Sequence, residues 1–173
     1  MLAKKIMKYS AKKEILSCND LAEIAWMAIE PLWDDLPLSN ASKLRVFMSE
    51  ITNGQKALIS IDWCQKEIRN GGIKQLFLNS TGNLVPYAIE GYNLIGANIY
   101  SENLLKASKL LGCEYPKSCA ARKRAIKLLT QSQMEQLNKL EDDFFELIDS
   151  TDNDIEKYRG GYVKSNSKQF ITC

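Results

Sequence analysis

The stretch Leu58-Ile-Ser-Ile-Asp-Trp-Cys-Gln-Lys-Glu-Ile-Arg-Asn-Gly-Gly72 decides the fold. Leu58, Ile61, Asp62, Gln65 and Ile68 recur at intervals of three and four, the period of one helix face, with polar residues interrupting the stripe. Asn70-Gly71-Gly72 then reads as a helix stop: Gly71 takes the left-handed conformation, and Gly72 turns the chain into the short apolar segment Ile73 to Leu78. Asn79-Ser-Thr-Gly82 reads as a second turn. Helical spacing continues in both directions, and the alternation of a strand hardly appears. The sequence predicts an all-α fold, a single compact multi-helix domain of about eight or nine helices spanning residues 1–173.

Upstream, residues 1–16 read as a basic N-terminal helix. Ser17 and Asn19 are candidate caps for a helix carrying Leu21, Ile24, Ala25, Ala28 and Ile29 up to Pro31, with Trp26 and Trp33 near its core face. Ser39 or Asn40 can cap the next, which bears Leu44, Phe47, Met48 and Ile51 and which Asn53-Gly54 closes. Downstream, Pro86 suits a first helical turn, and Ala88, Ile89, Tyr92 and Ile95 continue to a stop at Gly96. Leu104, Leu105, Ala107 and Leu111 are buried candidates of a helix ending at Gly112, and another helix runs from about Ser118 to Leu129. The last long helix, roughly Ser132 to Asp149, carries Met134, Leu137, Glu141, Phe144 and Ile148 along one side, with Glu135, Asp142, Glu146 and Asp149 opposite. Ile155, Tyr158 and Tyr162 suggest a short closing helix, and residues 164–173 a loose polar tail.

The chain has 173 residues, 45% hydrophobic and 25% charged, as expected of one soluble domain with a real core. It contains no histidine, which removes the usual near-neutral acid/base, the Ser-His-Asp and Cys-His nucleophile systems and every His-containing metal site. No phosphate-binding loop or converging carboxylate pair appears, so no enzyme activity, cofactor or metal is expected. Cys18, Cys64, Cys113, Cys119 and Cys173 are odd in number, without a CxxC pair, and read as reduced thiols. The N-terminal sequence does not read as a leader and no membrane-spanning stretch is present, which leads to the expectation of a cytoplasmic protein.

Charge is unevenly dealt, although 23 Lys and Arg against 21 Asp and Glu leave a net of only +2. Lys117, Arg122, Lys123, Arg124 and Lys127 form a basic run without an acid, but no aromatic residues are interleaved to stack on bases, which disfavours nucleic acid as the partner. From Glu135 to Glu156 nine acids stand against Lys139 alone. Residues four apart on a helix are separated by about 6 Å of rise, so Asp142 and Glu146 offer charges at an interval like that of backbone phosphates. The candidate partner-binding residues are Asp142, Asp143, Glu146, Asp149 and Asp152, and the partner they suit is a protein with a basic surface. The basic run is the alternative face.

Asn70-Gly-Gly-Ile-Lys-Gln-Leu-Phe-Leu-Asn-Ser-Thr-Gly82, followed by Ala88-Ile89 and then Ile95-Gly96-Ala97, resembles the signature of the bacterial DNA-mimic-protein-like family. Leu140-Glu-Asp-Asp-Phe144-Phe145 and Tyr162-Val163 resemble its closing segment, so the likeness covers about residues 40 to 163. The resemblance implies a mostly helical, non-catalytic protein that binds another protein, in the namesake branch by imitating DNA phosphates with surface carboxylates. Ile73 stands where the family pattern has an aromatic residue, and the net charge of +2 contradicts mimicry over the whole surface. Two uses of such a protein are carried forward: inhibition of a basic nucleic-acid-binding regulator or nuclease, and immunity against a cognate bacterial toxin. Direct nucleic-acid binding through the basic helices is a third.

Overall fold

Thr52 and Gln55 set the start of the central helix in a computed structural model that describes residues 9–171. The Gln55 amide donates to Thr52 Oγ1 at 3.1 Å while Gln55 Oε1 accepts from the Thr52 amide at 3.0 Å, a reciprocal cap for two otherwise orphaned donors. Gly54, read from sequence as a stop, therefore lies inside the first turn of this helix, where the lack of a side chain lets Phe170 and Tyr162 approach. Among the described residues there are eight α-helices and no strand: α1 Leu21–Ile29, α2 Ala41–Glu50, α3 Asn53–Leu78, α4 Val85–Leu94, α5 Asn98–Lys109, α6 Cys119–Lys127, α7 Gln131–Asp149 and α8 Ile155–Ser165. The fold is all-α, as the periodicity predicts. None of the described helices is long and apolar enough to cross a membrane.

Within the span of α3 the glycine pair stops the first helix, as expected, and a second short helical piece follows across the kink. Gly72 has φ +82°, the left-handed region that a side chain disfavours, whereas Gly71 is extended at φ −165°, the reverse of the expected assignment. Helical structure resumes beyond the kink because Ile73, Leu76 and Phe77 are all fully buried, so the short apolar segment Ile73 to Leu78 is itself helical. Gly96 and Gly112, both with positive φ, end α4 and α5 as expected.

Between Ala57 and Ile68, α3 is buried on nearly all sides, including Ser60, Asp62 and Gln65, so its neighbours must surround it. α1, α4, α6 and α7 all pack on it, α8 packs on α1, and α5 lies on α4 and α7. Close crossings depend on missing side chains: a Cβ at Gly91 of α4 would stand 2.8 Å from Ala57 Cα, and one at Gly160 of α8 would collide with the Leu21 backbone of α1. Buried charge ties α3 to α8. Asp62 Oδ1 accepts from Arg159 Nη2 at 2.8 Å, its Oδ2 is 2.8 Å from Lys66 Nζ, and Arg159 Nη1 is 2.8 Å from Glu156 Oε1. Burial pushes the Glu156 carboxyl up, an effect that the adjacent Arg159 guanidinium opposes. Lys66 Nζ also lies 4.0 Å from the centre of the Trp33 ring, which stacks on Trp63 at 4.3 Å. Trp26, at 38% exposure, sits on the rim of this cluster rather than in the core.

Toward both ends, the described residues depart from expectation. In the part of the basic N-terminal segment that is described, residues 9–16, the helical structure is a single 3-10 turn over Lys13–Leu16, and Lys4, Lys5 and Lys8 lie outside the described residues. The segment after α8 is packed up to residue 171, not loose: Phe170 is fully buried, its carbonyl accepts from the Ala11 amide at 2.7 Å, and the Gln169 carbonyl accepts from Thr52 Oγ1 at 2.9 Å. One aromatic ring with a place in the core outweighs the polar composition around it. Asp20 caps α1 where Ser17 and Asn19 were expected, and Thr130 caps α7 ahead of Ser132. Leu105 turns outward, while Leu104, Ala107 and Leu111 are buried.

Replacing Gly91 by Ala forces a methyl group against the α3 backbone. The expected result is a loss of about 1–3 kcal/mol in urea unfolding with helicity retained; an unchanged midpoint would show that α3 and α4 can separate without penalty.

Candidate functional site

α7 carries the acidic stripe, and its local sequence explains why. Thr130 and Gln133 form a second reciprocal cap, with the Thr130 amide 2.9 Å from Gln133 Oε1, and Leu137, Leu140 and Phe144 bury one side. Phe144 meets the Tyr100 ring of α5 edge to face at 5.4 Å. The Tyr100 hydroxyl lies 2.8 Å from both the Leu147 and the Asn153 carbonyl oxygens, joining the end of α7 to the turn that follows it. Burial pushes this phenol up to about 12.

The nine acids of the segment divide into two groups. Glu141 faces inward: its Oε2 accepts from the Lys74 amide at 3.3 Å, at the start of the helical turn after the Gly72 break, and a Cβ on Gly72 would collide with its carboxylate. Asp154 caps α8 by accepting from the Glu156 amide at 3.0 Å, and Glu156 pairs with Arg159. The other six are available at the surface. Glu135, Asp142, Glu146, Asp149 and Asp152 are exposed, Asp143 is half-buried, and among the described residues none of the six is in an ion pair. All five carboxylates singled out from sequence thus lie on α7 and the turn after it. Glu102 of α5 joins them, because it lines a groove of about 430 Å³ between α5 and α7 together with Asp143 and Glu146. Nothing in the sequence near Glu102 signals that placement.

The basic run does not survive as a single surface. Lys117, Lys123, Arg124 and Lys127 are exposed, but Arg122 is fully buried. Its Nε donates to the Phe77 carbonyl at 2.8 Å, Nη2 to the Asn79 carbonyl at 2.8 Å, and Nη1 to Asn83 Oδ1 at 2.9 Å and to the Pro116 carbonyl at 3.3 Å. Arg122 is therefore a structural cation, corrected from its place in the candidate basic face. The available signal was its i, i+4 spacing with the buried Ile126.

The turn motifs are assembled around the same point. Glu67 of α3 accepts from Gln75 Nε2 and Asn79 Nδ2 at 2.7 Å each and from Thr81 Oγ1 at 2.9 Å. A Cβ at Gly82 would stand 2.7 Å from Arg122 Nε. Gln75, Asn79, Thr81 and Gly82 hold the chain between α3 and α4, and the Gly72 break receives Glu141, so the motif residues set where α7 lies.

Burial raises the Cys64 thiol, which disfavours the thiolate form. Cys18, Cys64, Cys113 and Cys119 are unpaired thiols, and among the described residues no group of three His, Cys, Asp or Glu is placed to hold a metal ion.

The family model described as DMP19-like protein matches residues 49–166, a span that takes in α3 to α8 and every motif just described. Neither a curated protein nor a solved structure matches the chain.

Two outcomes are expected from these contacts. Arg122→Met leaves the carbonyls of Phe77 and Asn79 without their donor in a buried setting and should lower stability by at least about 3 kcal/mol in urea unfolding. The Tyr100 phenol is raised in the folded state, so its contribution to stability is complete below the ordinary tyrosine range near pH 10 and falls as pH rises through about 12. The difference between the ultraviolet titrations of the wild type and Tyr100→Phe, followed in parallel with circular dichroism, should place the Tyr100 phenolate well above pH 10, and a difference signal near pH 10 with the fold intact would contradict the clamp.

Proposed function

The chain belongs to the DMP19-like protein family, and on that premise we propose that it is a non-catalytic protein that binds and inhibits a basic, nucleic-acid-binding protein through the acidic face of α7. The family is one of DNA mimics, and the observation that carries the reading here is the set of six carboxylates left free of internal ion pairs on α7 and the turn after it. Asp142, Glu146 and Asp149 follow one another at rises of about 6 and 4.5 Å along the helix, which suits a surface evolved to receive phosphates. Mimicry is local. The net charge of +2 leaves the rest of the surface without an acidic field, so recognition rests on this face alone.

The partner is a protein whose DNA-binding surface presents Lys and Arg at phosphate spacing, and occupation of that surface keeps nucleic acid off it. Long-range attraction accelerates encounter, and neighbouring apolar groups along the α5/α7 groove, among them Ile99 at 45% exposure, add contact area once the partner has docked. Burial of Arg122 weighs against the basic run as a nucleic-acid interface, since it removes one of its five cations from the surface.

The test uses the protein as bait for basic proteins of its host, with each captured protein then assayed for DNA binding. The wild-type chain should displace DNA from the captured protein in proportion to its concentration, with affinity falling about tenfold or more between 50 and 200 mM salt. The triple variant Asp142→Asn, Glu146→Gln, Asp149→Asn should lose at least about tenfold in affinity, mostly in on-rate, with an unchanged unfolding midpoint, because all three side chains are exposed. Equal displacement by the variant, insensitive to salt, would reject the acidic face.

A further inference from the structure

A cavity of the described residues lies away from the acidic face. It encloses about 610 Å³ between α2, the start of α4 and the loop leading into α6, and no residue of α7 or of the turn after it lines it. Arg122 forms part of its wall, Arg45 of α2 and Lys117 of the loop are exposed on it, and Glu114 is its single acid.

A fully buried guanidinium ordinarily meets a carboxylate, because a cation removed from water without a counter-charge is costly. Here the four acceptors of Arg122 are all neutral, three carbonyls and the Asn83 amide oxygen, and among the described residues no carboxylate lies within ion-pair distance. These bonds engage four of the five N–H groups and leave the positive charge uncompensated. In a low-dielectric wall its field reaches the cavity with little screening, where it adds to those of Arg45 and Lys117.

Size and lining indicate the rest of the ligand. The volume is several times that of a phosphate ion and falls in the range of small-molecule sites. Tyr87 and Tyr115 contribute aromatic surface beside Pro86. Tyr115 is held in place by its hydroxyl, which donates to the Gly82 carbonyl at 3.0 Å, and by its ring, which packs against Phe77 at 5.7 Å and lies 5.8 Å from the Arg122 guanidinium carbon. We infer that this cavity binds a small phosphate monoester with a flat ring, of the nucleoside monophosphate class, with the phosphate between Arg45 and Lys117 and the ring against Tyr87. Arg122 supplies a fixed field and holds the cavity wall, while the two exposed cations make the direct contacts.

The site is independent of the acidic face, so its test does not depend on the partner protein. AMP, inorganic phosphate and adenosine are titrated into the full chain by calorimetry and by amide NMR. AMP should bind saturably, phosphate should compete for the same site more weakly, and the shifted amides should include Arg45, Asn83 and Lys117. The double variant Arg45→Ala, Lys117→Ala should weaken AMP binding by about tenfold or more with an unchanged unfolding midpoint. Tyr87→Ala should reduce the advantage of AMP over phosphate while leaving phosphate binding in place. No saturable binding of AMP or phosphate, or equal affinity in the double variant, would overturn the inference. So would a single-stranded oligonucleotide that binds more tightly than AMP with a steep salt dependence, because the cations would then belong to an extended backbone track.

Discussion

A helix buried on nearly every side, as α3 is from Ala57 to Ile68, stands only if its neighbours come close enough to exclude water all around it. That requirement accounts for much of the remaining structure. It places Gly91 against Ala57, where any side chain would push α4 away, and it brings polar groups into the interior that then need partners. Asp62 finds Lys66 within its own helix and Arg159 of α8, and the second contact ties down α8, which closes over α1 through the bare backbone at Gly160. A buried ion pair of this kind adds little net stability over a well-packed apolar pair, but losing one partner would strand the other, so the registry of α8 on α3 is strongly specified.

The second organising point is the change of direction after α3. The break at Gly72 lets one helix serve two directions, and the chain beyond it is held by two oppositely charged groups that do not meet as an ion pair. Glu67 gathers the side chains of Gln75, Asn79 and Thr81, and Arg122 gathers the backbone carbonyls of Phe77 and Asn79. Each group satisfies what the other cannot: a carboxylate accepts only, a guanidinium donates only. The short connection from α3 to α4 is thereby ordered without a strand or a disulfide, and α7 is positioned against it through Glu141.

Much of this was legible in the sequence, and the failures have physical causes. The all-α class followed from spacing alone, and so did the outward direction of Asp142, Glu146 and Asp149, because the apolar stripe of α7 leaves them no other side. Asn40 does cap α2, and Ser118, where the later helix was expected to begin, turns out to be the cap of α6. Asn53-Gly54 misled because the pair marks a turn only when nothing stronger competes, and the Thr52–Gln55 cap does. Spacing already set Glu141 apart from the free acids, on the apolar side of α7, but its contact with the Lys74 amide and the pairing of Glu156 with Arg159 are visible only in the structure. Arg122 was the hardest residue to read. Its partners are backbone carbonyls, which every residue possesses and no sequence pattern announces.

The single Tyr100 hydroxyl hydrogen, shared between the Leu147 and Asn153 carbonyls, bears on how long a complex could last. By holding the last turn of α7 and the following turn to one phenol on α5, it makes Asp149 and Asp152 parts of one body despite the helix end between them. A flexible acidic tail of equal charge would have to be ordered by each partner that bound it, at a cost in entropy that shortens residence. Here that ordering was completed when the protein folded, so the carboxylates are in position before any encounter, and a partner with matching geometry would dissociate slowly as well as arrive quickly.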